Sequence, residues 1–89
     1  MNAPFPIDVK TLDQLDCGAK ACVRSVNLSL LEAGDASRLR HFGFDEGVIV
    51  EPLHRGPIGQ DPIAIRVGRM TVAIRRKHAR AISVTQLTR

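Results

Sequence analysis

The candidates for nucleophilic, acid–base or metal-binding chemistry that we consider in this sequence are two cysteines and three histidines. They are Cys17, Cys22, His41, His54 and His78. Catalysis requires a nucleophile or an acid–base pair held together, and a structural zinc site requires two pairs of ligands. The cysteines form one pair with four residues between them, and no second pair accompanies it. We therefore predict no catalytic residues, no metal ligands and no cofactor, and we expect that the protein is not an enzyme.

The glycine-rich stretch GPIGQDP, residues 56–62, is a second candidate for chemistry. A phosphate-binding loop needs its glycines at the start of a helix, so that the N-terminal amides of that helix face the anion. A run of alternating aliphatic residues, typical of a strand, follows here instead. The stretch therefore predicts a connection that leads into a strand, and the glycines and prolines are assigned to turn formation.

Positive charge is concentrated at the C-terminal end of the chain. Residues 1–61 contain six Lys/Arg and nine Asp/Glu, whereas residues 62–89 contain seven Lys/Arg and no acid, so the net charge is +4. This pattern favours a solvated outer face of a sheet, and it also allows an anionic partner. A nucleic-acid partner would rest on six of these seven residues: Arg66, Arg69, Arg75, Arg76, Lys77 and Arg80. Barrels that bind single-stranded nucleic acid interleave aromatic side chains with basic ones, and this segment has no aromatic residue. We expect no nucleic-acid partner, and a basic nucleic-acid-binding barrel is the alternative.

Length and composition predict one domain that can bury its own core. The chain has 89 residues, of which 44% are hydrophobic. Its start lacks the basic and apolar regions of a signal peptide, and no apolar run approaches the roughly 20 residues needed to span a bilayer. We expect a cytoplasmic protein with free thiols and no membrane insertion. The expected boundaries are an N-terminal tail at 1–10, a domain at 11–85 and a C-terminal tail at 86–89.

The first half of the chain predicts three elements. Leu12 and Leu15 have helical spacing and predict a single turn at 11–15. Residues 20–26, KACVRSV, are rich in β-branched residues and predict a strand. A short helix is expected in DASRLRHFGF from Asp35, with Asp35 or Ser37 as its N-cap and Gly43 in the left-handed conformation after its end.

The second half predicts strands. A strand starts at Val48, and Pro52 indicates that it lies at a sheet edge or contains a bulge. A turn of type II′ at Gly68-Arg69 predicts a hairpin in which two sets of cross-strand pairs lie on opposite faces. The inner set is Val67–Met70, Ile65–Val72 and Ile63–Ile74, and the outer set is Arg66–Thr71 and Ala64–Ala73. One helical turn in KHARA, residues 77–81, and a last strand with Ile82 and Val84 complete the chain.

These elements predict a mainly β fold. The expected architecture is a small SH3-like β-barrel of about five strands, with one short α-helix between the first and second strands. Strands of this kind joined by short turns form a bent sheet whose inner face is the core.

Two segments are the most specific parts of a pattern that runs from about Leu12 to Val84. The first is RLRHFGF at 38–44 followed by DEG, and the second is GPIGQDPIAIRV at 56–67 followed by VAIRR at 72–76. In this order and spacing they resemble the FeoA family, ferrous iron transport protein A. The resemblance implies an SH3-like barrel in the bacterial cytoplasm, and it implies no catalytic residues. It also implies an accessory role to the membrane ferrous iron permease, whose cytoplasmic domain is a G protein.

The same barrel occurs as the C-terminal domain of iron-dependent repressors, so the resemblance leaves a metal-sensing regulatory module as a further alternative. Three leucines in NLSLLEAG, residues 27–34, follow no clear period. They either pack under the helix or form, with the loop around Pro57-Ile58, an apolar cleft for a partner. The candidate partner-binding residues are Leu28, Leu30, Leu31, Pro57, Ile58, Arg75 and Arg76. The expected partner is the cytoplasmic domain of the permease, a membrane GTPase, and self-association into a homo-oligomer is left open.

Overall fold

Six antiparallel strands form one sheet in the computed structural model of this protein, which describes residues 9–87. The strands are β1 Val9–Thr11, β2 Ala21–Val26, β3 Ile49–Ile58, β4 Asp61–Val67, β5 Met70–Ile74 and β6 Ile82–Gln86. Two helices, α1 Ala33–His41 and α2 Arg76–Ala79, and two 3-10 turns, Leu12–Gln14 and Leu28–Leu30, connect them. The order in the sheet is β1-β6-β2-β3-β4-β5, and β1 is not paired with β5, so the sheet is bent but open. The predicted mainly β class is confirmed, with six strands in place of about five.

The additional strand is β1, which pairs with β6. Val9 lies opposite Thr85 and Lys10 opposite Val84 in this ladder. The sequence predicts two of the three residues of β1, Val9 and Lys10, in the N-terminal tail. They pair with β6 in the structure, because a three-residue strand has too short an alternation to predict. The rest of that expected tail, residues 1–8, lies outside the described residues, as do residues 88–89 of the expected C-terminal tail.

The hairpin of β4 and β5 has the predicted register at every pair. Val67 lies opposite Met70, Ile65 opposite Val72 and Ile63 opposite Ile74, with the two outer pairs between them. Gly68 has a φ of +59°, as the first central position of a type II′ turn requires. On the inner face Ile63, Ile65, Val67 and Ile74 are buried and Val72 is partly buried, whereas Met70, next to the turn, is 48% exposed.

The stretch GPIGQDP is mostly strand, which corrects the predicted connecting loop. Strand β3 continues through Ile58 and β4 begins at Asp61, so only Gly59 and Gln60 form the turn. Both have positive φ, +65° and +60°, the pattern of a type I′ hairpin turn. The prediction assigned the glycines and prolines to a loop because these residues are depleted in strands, whereas the long β3–β4 ladder overrides that preference. The bulge predicted at Pro52 is confirmed by the register shift between Pro52 and His54.

Helix α1 begins at Ala33, two residues before the predicted start. Glu32 is its N-cap and makes no side-chain capping hydrogen bond, so neither Asp35 nor Ser37 has the predicted capping role. Its C-terminal end agrees with the prediction, because Gly43 follows it with a φ of +96°. The turn predicted in KHARA is α2, which starts one residue earlier, at Arg76.

Aliphatic side chains build the core, as a composition without Trp or Tyr requires. The buried cluster joins the inner face of the sheet to the first 3-10 turn, to Leu39 of α1 and to Ala79 of α2. Among the described residues Phe44 is its one buried aromatic member, and Phe42 is partly buried against it. Through Leu39 and Ala79 the core holds both helices against the inner face of the sheet.

Candidate functional site

The second 3-10 turn presents two leucines to solvent. Asn27 caps the turn, since its Oδ1 accepts hydrogen bonds from Ser29 N at 3.1 Å and from Ser29 Oγ at 2.6 Å. The backbone N–H of Asn27 also donates to the carbonyl oxygen of Ala81 at 2.7 Å, which ties the turn to the end of α2. Leu28 and Leu30 are 55% and 58% exposed. Because the backbone of the turn is anchored, these apolar side chains are held in place at the surface.

Leu28 lines an open groove of about 260 Å³ between this turn and helix α1. The apolar lining residues are Val26, Leu28, Ala36, Leu39 and Phe44, of which Leu39 and Phe44 are buried. Ser25 and four exposed charged residues, two basic and two acidic, complete the lining; the charged residues are Arg24, Arg40, Asp45 and Glu46. An apolar bottom with charged edges is the usual organisation of a protein-interaction surface.

The three predicted leucines occupy three different environments. Leu28 lines the groove, and Leu30 is exposed on the same turn but does not line it. Leu31 is partly buried and packs against the core. Leu31 is therefore a packing residue, and a partner-binding role for Leu28 and Leu30 stays a prediction.

Pro57 and Ile58 lie at the end of β3, beside the turn of the β3–β4 hairpin, and they do not line the groove. Ile58 is 83% exposed. The groove lining therefore contains Leu28 but neither Pro57 nor Ile58, whereas the sequence predicts all three around one cleft.

Arg76 belongs with the hairpin tip. Its backbone N–H donates to Oδ1 of Asp61 at 2.9 Å, and its Nη1 donates to the carbonyl oxygen of Gly59 at 2.9 Å. These bonds attach the start of α2 to the turn of the hairpin, so the guanidinium of Arg76 has a structural partner. Arg75 is exposed beside it. The sequence offered no signal for this contact, because it depends on how β5 returns the chain to the hairpin.

The cysteines and histidines do not assemble into a reactive cluster within residues 9–87. Both thiols are free, with Cys17 exposed and Cys22 half-buried. In the same part of the chain no group of three or more His, Cys, Asp or Glu side chains could hold a metal ion. His41 and His54 are exposed.

His78 is the one histidine with an acidic neighbour in the described chain. Its Nε2 lies 3.2 Å from Oδ2 of Asp35, within the distance of an ion pair. The same Nε2 is buried and makes no hydrogen bond. The nitrogen and the carboxylate oxygen therefore lie close together without the alignment that a hydrogen bond needs. The contact joins α2 to the first turn of α1.

No helix among residues 9–87 is long and apolar enough to cross a membrane. A family model described as the FeoA domain matches residues 10–86. No curated protein sequence matches the chain.

Two solved structures combine moderate sequence identity with the same fold. The FeoA protein from Chlorobium tepidum is 32% identical, with a TM-score of 0.77, over 88% of this chain and 70% of that one. The FeoA of Stenotrophomonas maltophilia, solved with zinc, is 36% identical, with a TM-score of 0.71, over 83% of this chain and 87% of that one. That protein is described as a prokaryotic SH3-domain protein and a candidate bacterial ferrous iron transport activating factor.

A manganese-dependent transcriptional repressor shares the fold at a TM-score of 0.79. It is 17% identical, over 92% of this chain and 44% of the repressor. Structural similarity at so low a sequence identity shows a common fold and does not indicate a common activity.

Proposed function

This chain belongs to the FeoA family, and from that membership we propose that it is an accessory protein of bacterial ferrous iron uptake that binds the ferrous iron permease. The family is associated with ferrous iron transport. The proposed contact is with the cytoplasmic part of the permease, which places this protein in the cytoplasm. Binding would modulate or assemble the permease, and this chain itself would transform no substrate.

The observation that carries the proposal is the groove beside Leu28. Leu28 is 55% exposed although its turn is anchored by Asn27, so the protein maintains an apolar side chain in water at a fixed position. Burying the remaining surface of one leucine stabilises a complex by roughly 1 kcal/mol. The mixed charges at the edges, exemplified by Arg40 and Glu46, would orient a partner with complementary charges.

The first test replaces Leu28 by Asp and measures co-purification with the full-length permease in detergent. We expect the affinity to fall by about tenfold or more, because a buried charge without a partner opposes binding while the lost apolar contact no longer favours it. Leu87→Asp is the matched control, since Leu87 is 40% exposed and does not line the groove. Both variants should melt close to the unsubstituted protein, because neither side chain belongs to the core.

Two further variants test other exposed residues for a role in permease binding. Leu30→Asp tests whether the contact extends along the 3-10 turn, and Ile58→Asp tests whether the tip of the β3–β4 hairpin contacts the permease. Undiminished binding by Leu28→Asp would exclude the groove. The accessory function itself would be contradicted if the unsubstituted protein left permease GTP hydrolysis and iron uptake unchanged and failed to co-purify with it.

A metal-sensing module is the second candidate function, favoured by the zinc complex of the Stenotrophomonas maltophilia relative and by the repressor fold. A metal that binds only the folded protein would stabilise it by about 2.7 kcal/mol when the free metal concentration is a hundred times the Kd. The accessory proposal predicts instead that melting temperature stays constant as ferrous iron is raised anaerobically from micromolar to millimolar concentration. A saturable rise in melting temperature would support metal sensing.

A further inference from the structure

Strand β5 is an end strand of the sheet and lacks the features that usually protect such strands. Among residues 9–87 it pairs with β4 alone, in a regular register without a bulge. Its sequence, MTVAI, contains neither a charged residue nor a proline. End strands are ordinarily short, charged, bulged or covered. The opposite end strand, β1, has three residues and contains Lys10, so it follows the usual pattern and β5 does not.

The alternation of hydrogen bonds identifies the backbone groups that β5 presents at its free edge. Met70 lies opposite Val67 across the two-residue turn, and such a pair exchanges two hydrogen bonds. Every second residue, Val72 and Ile74, is therefore also bonded to β4. The N–H and C=O groups of Thr71 and Ala73 point away from β4, and both residues are exposed. No strand within the described part of the chain uses these groups.

The charge around this edge is positive. Arg69 precedes β5, Arg75 follows it, and both are exposed. Arg66, opposite Thr71 on β4, is also exposed. Arg66 has an acidic neighbour, since its Nη1 lies 3.8 Å from Oε1 of Glu51. Among residues 9–87, no acidic side chain forms an ion pair with Arg69 or Arg75. An extended segment lying along β5 would thus meet apolar and hydroxyl side chains in the middle and a positive charge at each end.

We propose that the free edge of β5 binds an extended segment of a partner protein by strand addition, and that the segment carries acidic residues on both sides of β-forming residues. Backbone hydrogen bonds to Thr71 and Ala73 would provide affinity, and Arg69 and Arg75 would select acidic ends. This surface is distinct from the Leu28 groove, and the proposal does not depend on the permease being the partner.

A second copy of the chain is a poor occupant. In an antiparallel pair of β5 strands centred on Val72, Arg69 of each copy lies opposite Arg75 of the other. Like charges directly opposite one another destabilise a strand pair. The charge pattern therefore favours an acidic partner over self-association.

Amide hydrogen exchange followed by NMR tests the proposal on the full chain. The probe is a short peptide, capped at both ends, in which alternating Thr and Val are flanked on each side by Glu. In the free protein the amides of Thr71 and Ala73 should exchange rapidly and those of Val72 and Ile74 slowly. The Glu-flanked peptide should slow exchange at Thr71 and Ala73, whereas the same peptide with Lys in place of Glu should bind about tenfold more weakly.

Charge reversal provides the matched comparison. The double variant Arg69→Glu/Arg75→Glu should prefer the Lys-flanked peptide, while Arg38→Glu, an exposed change on α1, should keep the original preference. Thr71→Pro removes one outward N–H and should weaken binding, and Thr71→Val, which retains that N–H, should not. Slow exchange at Val72 and Ile74 reports that each variant has kept its hairpin.

Three results would overturn the proposal. The first is unchanged exchange at Thr71 and Ala73 with millimolar Glu-flanked peptide. The second is protection in the free protein that increases with protein concentration, which identifies a second copy as the occupant. The third is concentration-independent protection in the free protein, which identifies another part of the same chain.

Discussion

The guanidinium of Arg55 connects strand β3 to the first 3-10 turn by hydrogen bonds. From β3 its Nη2 donates to the carbonyl oxygens of Leu15, at 2.6 Å, and Asp13, at 3.0 Å. Asp13 belongs to the first 3-10 turn and Leu15 ends it, so the guanidinium satisfies carbonyl groups that have no partner within the turn. Arg55 is half-buried, so water replaces these bonds only in part.

At this scale we predict that Arg55→Met lowers the free energy of unfolding by about 1–3 kcal/mol. Methionine preserves much of the apolar stem but leaves the two carbonyl groups without their donor. Arg38→Met on the exposed side of α1 is the control and should change stability by less than about 0.5 kcal/mol. Urea denaturation measures both, and equal stabilities of the two variants would show that the Arg55 bonds contribute nothing.

The β3–β4 hairpin contains a position, Gly56, at which the backbone leaves no room for a side chain. A Cβ at Gly56 would collide with the backbone carbonyl of Asp61 on the adjacent strand. That carbonyl cannot rotate away as the end of a flexible side chain could. The close approach explains why a glycine occupies a strand position, where it is otherwise unfavourable.

We predict that Gly56→Ala and Gly34→Ala change stability in opposite directions. Gly56→Ala should destabilise the protein by about 1–3 kcal/mol, because the two strands must separate. Gly34 lies in α1 with open space around it, so alanine there should stabilise by up to about 1 kcal/mol. Thermal and urea unfolding measure both effects. A neutral Gly56→Ala would mean that the hairpin accommodates the methyl group at no cost.

On the scale of the whole molecule, one bent sheet carries two candidate binding surfaces, and each would bind a partner by a different kind of interaction. The groove beside Leu28 offers apolar burial between a turn and α1, and the free edge of β5 offers unpaired backbone groups between arginines. They are formed by different elements, so substitutions in one leave the other intact. Leu28→Asp and Arg69→Glu/Arg75→Glu therefore test the two proposals independently.

Local patterns in the sequence were sufficient wherever a short stretch determined its own structure. The β4–β5 register followed from period-two alternation and Gly68, and the end of α1 followed from Gly43. In both cases residues close in sequence impose the geometry, because a one-residue slip would bury polar side chains. The motifs in GPIGQDPIAIRV and RLRHFGF also indicated the family correctly.

Tertiary structure alone decided the features that depend on residues far apart in the chain. It paired Val9–Thr11 with β6, attached Arg76 to the β3–β4 hairpin, and left Ile58 outside the groove that Leu28 lines. Neither the pairing of a short strand nor the meeting of two surface residues has a local period from which it can be predicted. Each arises from the path of the whole chain around the core, because long-range packing selects among alternatives that local preferences leave nearly equal in free energy.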